Sequence, residues 1–573
     1  MDDRSAFESV EGIDLNSTDL VDFGTRASDV IRYYPELFPY VRMGKRLEGD
    51  FSVIYIPEES IPEVFDIIGA GNLTTYPTIN GLMGRAELES SGVLAVQQQP
   101  YLALDGTGVL LGFLDTGIDY ASNAFRNPDG STRIKSIWDQ SVPGDAPDGF
   151  YYGSEYSEER INEALRADNP QSVVPHVDEF GHGTFLASVA VGGAETDTLG
   201  AAPNAGLIVV KIRRAHEYHI RRAQILMHQE YAYSSNDLML GAEYIIEKAR
   251  ELSMPVAICI GMGSNDASHD GNNYFDEYLS RIGDKPGVII CVAAGNEALA
   301  GHHTQGAVLR TGDTTMVEVT CGETAQYNSS IVVMLWNNQT DRLSVQVTSP
   351  VGEKTAAGPA ISGTEYSSKL ILERSTVSIK YFFPNPRSGS QLTVITISEP
   401  TPGIWKLAVF GEIILEGSFH AWMPITGFSD PSIRFTSPSS SSTITSPGTA
   451  TGVMTVGAYS TLTTGLYPES SWGPTRLPSL APDFVAPGEN VEGIFKTGLG
   501  RMSGTSVAAA ITAGICALML QWAVVNKHYI SMNTLALKAY FVRGCERDPG
   551  ISYPNEQWGY GKLNIWNTFI NLQ

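Results

Sequence analysis

Four short stretches of the chain carry residue types that do covalent chemistry: FLDTGID with Asp115, FGHGTFLAS with His182, VAAGNEA with Asn296, and SGTSVAAAITAG with Ser503 and Ser506. A hydroxyl is a weak nucleophile until a base within hydrogen-bond reach takes its proton and a third group orients that base. Asp115 closes the apolar run GVLLGFLDTG, where a strand end holds a carboxylate facing a crevice. His182 lies between glycines at the point where a helix should begin. Ser506 falls at the start of a long apolar helix, whose positive end and free amides favour a developing oxyanion. Asn296 follows another apolar strand, and its amide could donate a second hydrogen bond to that oxygen. Each residue also has a plainer reading: Asp115 and Asn296 as turn residues, Asp119 as a cap or loop carboxylate. Their joint occurrence favours the catalytic reading, with Ser506 rather than the loop residue Ser503 as nucleophile.

The elements that would position these residues follow from apolar patterning. GVLLGFLDTG, GLIVVKI, MPVAICIGMG and GVIICVAAGN are short continuous apolar runs. They alternate with the helical patterns HGTFLASVAVGG and SSNDLMLGAEYIIEKARELS. Strands apolar on both faces, separated by helices, predict an α/β fold with a parallel sheet covered on both sides. Ligands of such sheets bind beyond the carboxyl ends of the strands, where the four stretches lie. The helical period disappears over 304–446. TTMVEVTCGE, SSIVVMLWNN, LSVQVTSP, STVSIKYFF, QLTVITISE and GIWKLAVFGE there predict an inserted antiparallel sandwich or jelly roll. The α/β pattern resumes over 447–573. Residues 1–97 form a separate α+β unit: DFSVIYI as a strand, EESIPEVFDIIGA as a helix, and GVLAVQQQP as a strand running into a loop.

Composition excludes several function classes. Lys and Arg number 38 against 63 Asp and Glu, a net charge of −25, which repels nucleic-acid backbones and anionic lipid. The five cysteines are odd in number and mostly sit in apolar runs, so buried thiols are expected rather than disulfides or zinc. SVAAAITAGICALMLQWAVV is long enough to cross a bilayer, but it starts at a Gly-Thr-Ser turn, contains Gln521 and lacks flanking basic residues. A core helix is the favoured reading, with no membrane insertion. The N-terminal MDDRSAFESVEG has no apolar signal region, so export by a classical signal peptide is not expected. No calcium-ligand spacing or other cofactor motif stands out, and the adjacent pair His302–His303 reads as solvated.

DTGID, HGTFLAS, AAGNE and SGTSVAA, in this order, resemble the signatures of the subtilisin-like serine proteases. The resemblance covers about residues 100–303 and 447–573. It implies a subtilisin-like sheet in which Asp115 orients the imidazole, His182 is the base, Ser506 the nucleophile and Asn296 an oxyanion donor. ICIGMGSND matches the family's substrate edge, with Gly261, Met262 and Gly263 pairing with an extended peptide. Within that family the chain resembles the clostridial Csp group of germination proteases, in the N-terminal prodomain, the β insert and the SGTSVAAAITAG wording. That resemblance implies a serine endopeptidase with protein or peptide substrates that also cleaves its own prodomain. The extended end of the prodomain is expected in the cleft, with cleavage near Gln97–Gln99. A cortex-hydrolase precursor is the implied physiological substrate. Two positions depart from the pattern: Ala510 stands where proline is usual, and Gly261 where serine is usual. The competing reading is an idle subtilase-fold sensor or scaffold that binds a partner protein.

Overall fold

The computed structural model describes residues 15–572 apart from 16–18, 29, 31–33, 38, 69–76, 78, 83–88, 98, 100, 194–199, 226–228, 324–328 and 478. Its N-terminal part forms an antiparallel sheet from β1 (Leu20–Arg26), β2 (Arg42–Arg46) and β3 (Phe51–Pro57), in the order β1-β3-β2. The helix Ile61–Ile68 follows. Side chains alternate along β3. Ile54 and Ile56 join Val21 and Phe23 in a local core, whereas Phe51, Val53 and Tyr55 pack toward the large domain behind.

The large domain is built on β5 (Leu110–Asp115), β6 (Ile134–Asp139), β7 (Ser154–Ser157), β8 (Gly206–Lys211), β10 (Val256–Ile260), β12 (Val288–Ala293), β23 (Met454–Tyr459) and β24 (Phe484–Pro487). They form one eight-stranded sheet, β24-β23-β12-β10-β5-β8-β6-β7, parallel except for β7. Every residue of β5, β8, β10, β12 and β23 is buried, as expected for strands covered on both faces. Helices His182–Val191 and Thr505–Leu520 share the core on one face, and Ser235–Glu251 and Tyr274–Gly283 the core on the other.

All sixteen residues of Thr505–Leu520 are buried, so packing explains the membrane-like apolarity of this helix. A Cβ on Gly514 would come within 2.7 Å of the Ala190 carbonyl oxygen and of the Ala201 methyl. The run of small residues lets two helices and a loop approach this closely. Gln521, which caps the helix, accepts from the amides of Asp105 and Gly106 at 2.9 and 2.8 Å.

The insert comprises β13 (His303–Ala307), β14 (Thr314–Cys321), β15 (Ser330–Asn337), β16 (Arg342–Thr348), β17 (Glu365–Lys369), β18 (Thr376–Phe382), β19 (Gln391–Ser398), β20 (Gly403–Ile413), β21 (Ser418–Trp422) and β22 (Ile433–Phe435). They form sheets β13-β21-β15-β19-β18-β17 and β16-β20-β14-β22 around a shared core that includes Trp405, Leu407 and Ile395. All six strands expected from apolar alternation are present. The polar strands HTQGA and EYSSK escaped that reading, because their pairing comes from neighbours rather than from a buried face.

Two expectations are corrected here. GVLAVQQQP is not a strand: Val93–Gln97 is a short helix whose Val93 and Val96 are buried in the large domain. His302 and His303 are not solvated, since both are buried at the seam with the insert. His302 Nδ1 lies 2.9 Å from the Glu297 carboxylate. His303 Nε2 is 3.1 Å from His420 Nδ1, and its ring stacks on Trp422, which also stacks on His269. The five cysteines are free and buried, and burial pushes the Cys259 and Cys291 thiols well up.

Candidate active site

Asp115 is the last residue of β5, and His182 the first of the helix His182–Val191. The strand and helix approach so closely at this point that a Cβ on Gly183 would lie 2.2 Å from the Gly117 carbonyl oxygen. Glycine is therefore required beside the histidine. Gly181, with φ at +76°, supplies the left-handed turn that aims the helix. The result is a 2.7 Å hydrogen bond from His182 Nδ1 to Asp115 Oδ1, with Asp115 1% and His182 5% exposed. The same carboxylate oxygen accepts from the Thr116 amide at 2.8 Å. With Nδ1 donating, His182 Nε2 is an acceptor, and Ser506 Oγ is 3.3 Å from it.

Ser506 sits in the first turn of its helix, behind Gly504 at φ +142°. Beside it, Asn296 Oδ1 accepts from the Thr505 amide at 3.0 Å and from Thr505 Oγ1 at 3.1 Å. Thr505 Oγ1 in turn accepts from the Gly295 amide at 3.0 Å. Engaging the carbonyl end in this way leaves the amide NH2 of Asn296 as the donor end. Asp115, His182, Ser506 and Asn296, far apart in sequence, thus meet at the carboxyl end of the sheet.

Gly261 follows β10 directly. A Cβ there would meet Ser506 Cβ and Leu186 Cδ1, both at 2.8 Å. More than a missing hydroxyl is at stake at this position, because any side chain would press on the serine. Met262 and Gly263 form β11, which pairs antiparallel with β4 (Ile79–Leu82) of the N-terminal part, Met262 opposite Leu82 and Gly263 opposite Gly81. The other edge of β4 pairs with β9 (Tyr233–Ser234). The edge expected to bind an extended peptide thus carries a strand of the chain itself.

That strand is not the one expected. Gln97 donates through Nε2 to the carbonyls of Gly200 and Ala201, at 3.3 and 2.8 Å. Gly200 and Ala201 are hydrogen-bonded to Gly192 and Val189. Gln97 therefore sits at the end of the His182 helix remote from His182, about 15 Å away at ~1.5 Å per residue. Residues 92–97 do not lie along the substrate edge.

Two further contributors went unread in the sequence. Asp178 accepts from the amides of Gly181 and Thr184, from Thr184 Oγ1, and from Thr116 Oγ1 at 2.7 Å. It therefore ties the Asp115 turn to the start of the His182 helix. A carboxylate just ahead of a helix was a legible capping signal. Thr505 adjoins the nucleophile candidate, yet only the fold brings Asn296 to it. Asp119 accepts from the Ala121 amide, and burial raises its carboxyl above the usual range. Ala510 is buried inside an unbroken helix.

The subtilase family model matches residues 106–382 and 431–561. Among solved structures, the chain is similar to the CspB protease of Clostridium perfringens, with 30% identity and a TM-score of 0.74, covering 84% of this chain and 98% of that one. It is more distantly similar to the self-cleaved protease domain of PatA, with 15% identity and a TM-score of 0.39, covering 82% and 98%. The prenylagaramide maturation protease PagA matches at 14% identity and a TM-score of 0.38, covering 83% and 100%.

Proposed function

The chain belongs to the subtilase family of serine proteases, and on that premise we propose that it is a serine endopeptidase using Asp115, His182 and Ser506, with Asn296 as oxyanion donor. The observation carrying this reading is the buried relay of 2.7 and 3.3 Å that ends on Ser506 Oγ. His182 Nε2 takes the hydroxyl proton as Oγ attacks the peptide carbonyl. The Asn296 amide, at the positive end of the Ser506 helix, stabilises the oxyanion. The C–N bond then breaks, the imidazolium gives its proton to the leaving amine, and water hydrolyses the acyl-enzyme along the reverse proton path.

The substrate is an extended peptide added to β11. The pairing of β4 with Met262 and Gly263 supports this geometry and supports an intramolecular first turnover. Because β4 and not the segment around Gln97 occupies this edge, self-cleavage is proposed on the C-terminal side of β4 rather than near Gln97–Gln99, which makes the N-terminal part a prodomain. Mass spectrometry of the purified chain and of Ser506→Ala tests both points. Two fragments meeting between β4 and Gln97 are expected from the first, and one undivided chain from the second.

The resemblance of the sequence to the clostridial Csp germination proteases is the ground for proposing activation of a spore cortex hydrolase precursor as the physiological reaction. Incubation of purified protein with such a precursor should give one cut, and an intact precursor would remove that assignment. The filled edge also favours a second reading, a subtilase fold held idle by β4 that serves as a binding module. Fluorophosphonate labelling of Ser506 separates the two, since an idle site would stay unlabelled in folded protein.

A further inference from the structure

Six residues before His182, the chain places a second histidine in a second aspartate–histidine pair. His176 Nδ1 lies 2.7 Å from Asp139 Oδ2, at the end of β6, and neither side chain is exposed at all. The other ring nitrogen, Nε2, accepts the Ile118 amide at 3.1 Å. Ile118 belongs to the turn that carries Asp115, and the ring lies directly against that turn. A Cβ on Gly117, at φ +117°, would come within 2.9 Å of His176 Cε1.

The hydrogen bonds determine the protonation pattern. An amide N–H needs an acceptor, so Nε2 carries no proton, and the carboxylate of Asp139 fixes the ring proton on Nδ1. The other charged or titratable groups around the ring are Lys211 of β8, Asp178 and Glu179 of its own segment, and Tyr120. Lys211 Nζ donates to the Val177 carbonyl and pairs with Glu179, both at 2.7 Å. Tyr120 OH donates to the Val174 carbonyl. Asp178 holds Thr116 Oγ1. One strap, 174–179, with Val174, His176 and Asp178 buried, thus grips the Asp115 turn at Thr116 and again at Ile118. Asp115 Oδ1, which receives His182 Nδ1, also receives the amide of Thr116 in that turn.

We propose that His176, oriented by Asp139, is a positioning residue that fixes the Asp115 carboxylate for His182. This rests on the serine-protease reading above. It acts through the Ile118 amide and touches no reacting atom. Its loss should slow chemistry while leaving the substrate edge, built on β9 and β11, unchanged.

The test uses the full chain with His176→Phe, His176→Gln and Asp139→Asn. Fluorophosphonate labelling of Ser506 should fall by about 10- to 100-fold in His176→Phe, the range expected for a misplaced catalytic group. KM for a peptide substrate should stay unchanged, and the acid limb of the kcat profile should move. His176→Gln, which can still offer an oxygen to the Ile118 amide, should recover part of the rate. A folded His176→Phe chain that labels within about twofold of the parent would overturn the proposal. If His176→Phe does not fold, Asp139→Asn carries the test through the ring-nitrogen NMR shifts of His176. Transfer of the ring proton to Nε2 with slower labelling supports the proposal, and the same transfer with unchanged labelling overturns it. A parent chain that does not label at all would instead sink the protease reading itself.

Discussion

Among the described residues, two buried aspartate–histidine pairs share a length of 2.7 Å, at the ends of β5 and β6. Their histidines are six residues apart, and their carboxylates fix the ring proton on Nδ1 in both. The difference lies at the far nitrogen. His182 Nε2 faces a hydroxyl that can give up a proton and become a nucleophile. His176 Nε2 faces the backbone amide of Ile118, which cannot. An aspartate–histidine pair is therefore no signature of catalysis by itself; what the second nitrogen meets decides between proton transfer and architecture.

The sharpest way to break this contrast is to neutralise each carboxylate in turn. Asp115→Asn should lower fluorophosphonate labelling by about ten-thousand-fold, because the proton moves to the nitrogen that Ser506 needs. Asp139→Asn should cost far less under the same assay, since its histidine handles no substrate proton. Equal losses would erase the distinction. Asn296→Ala, which removes the proposed oxyanion donor but leaves both pairs intact, should lower kcat by about 100- to 1000-fold with KM little changed. Gly261→Ala should lower labelling by about 100-fold, because the new methyl presses on Ser506 Cβ at 2.8 Å. A labelling rate equal to the parent's would show that the neighbours yield.

The smallest effect concerns histidines with no carboxylate on the ring. Burial holds His269 and His420 at about 4 and His303 at about 3, below the ordinary 6.5. The unfolded chain thus binds protons that the folded chain refuses. Stability at the insert seam should be complete above about pH 6.5 and fall as the pH drops toward about 4. A thermal unfolding midpoint that is flat across this window would contradict the assignment.

Much of this architecture was legible beforehand. Strands such as GVLLGFLD and GVIICVA are apolar on both faces, and that alone implied a covered parallel sheet. DTGID, HGTFLAS, AAGNE and SGTSVAA named Asp115, His182, Asn296 and Ser506. Other features resisted. Val93 and Val96 sit at helical spacing, three apart, but GVLAVQQQP is too short for its period to separate helix from strand. INGL, the segment on β11, has no apolar alternation at all, because its pairing depends on backbone edges that only the folded domain supplies. His176 resembles any isolated histidine until β6 brings Asp139 to it.

The sequence by itself determined which side chains are present and the local conformations that carry them: the strand ends, the glycines flanking His182, and the helix opening at Ser506. These follow from φ/ψ limits and apolar periodicity, which act over a few residues. Only the tertiary structure decided distances across the chain. It set Ser506 against a histidine 324 positions away, paired β4 with Met262 and Gly263, and gave the two aspartate–histidine pairs different partners at their far nitrogens. Hydrogen bonds reach about 3 Å, so they are assigned when packing of the sheet and its helices fixes which polar groups end as neighbours.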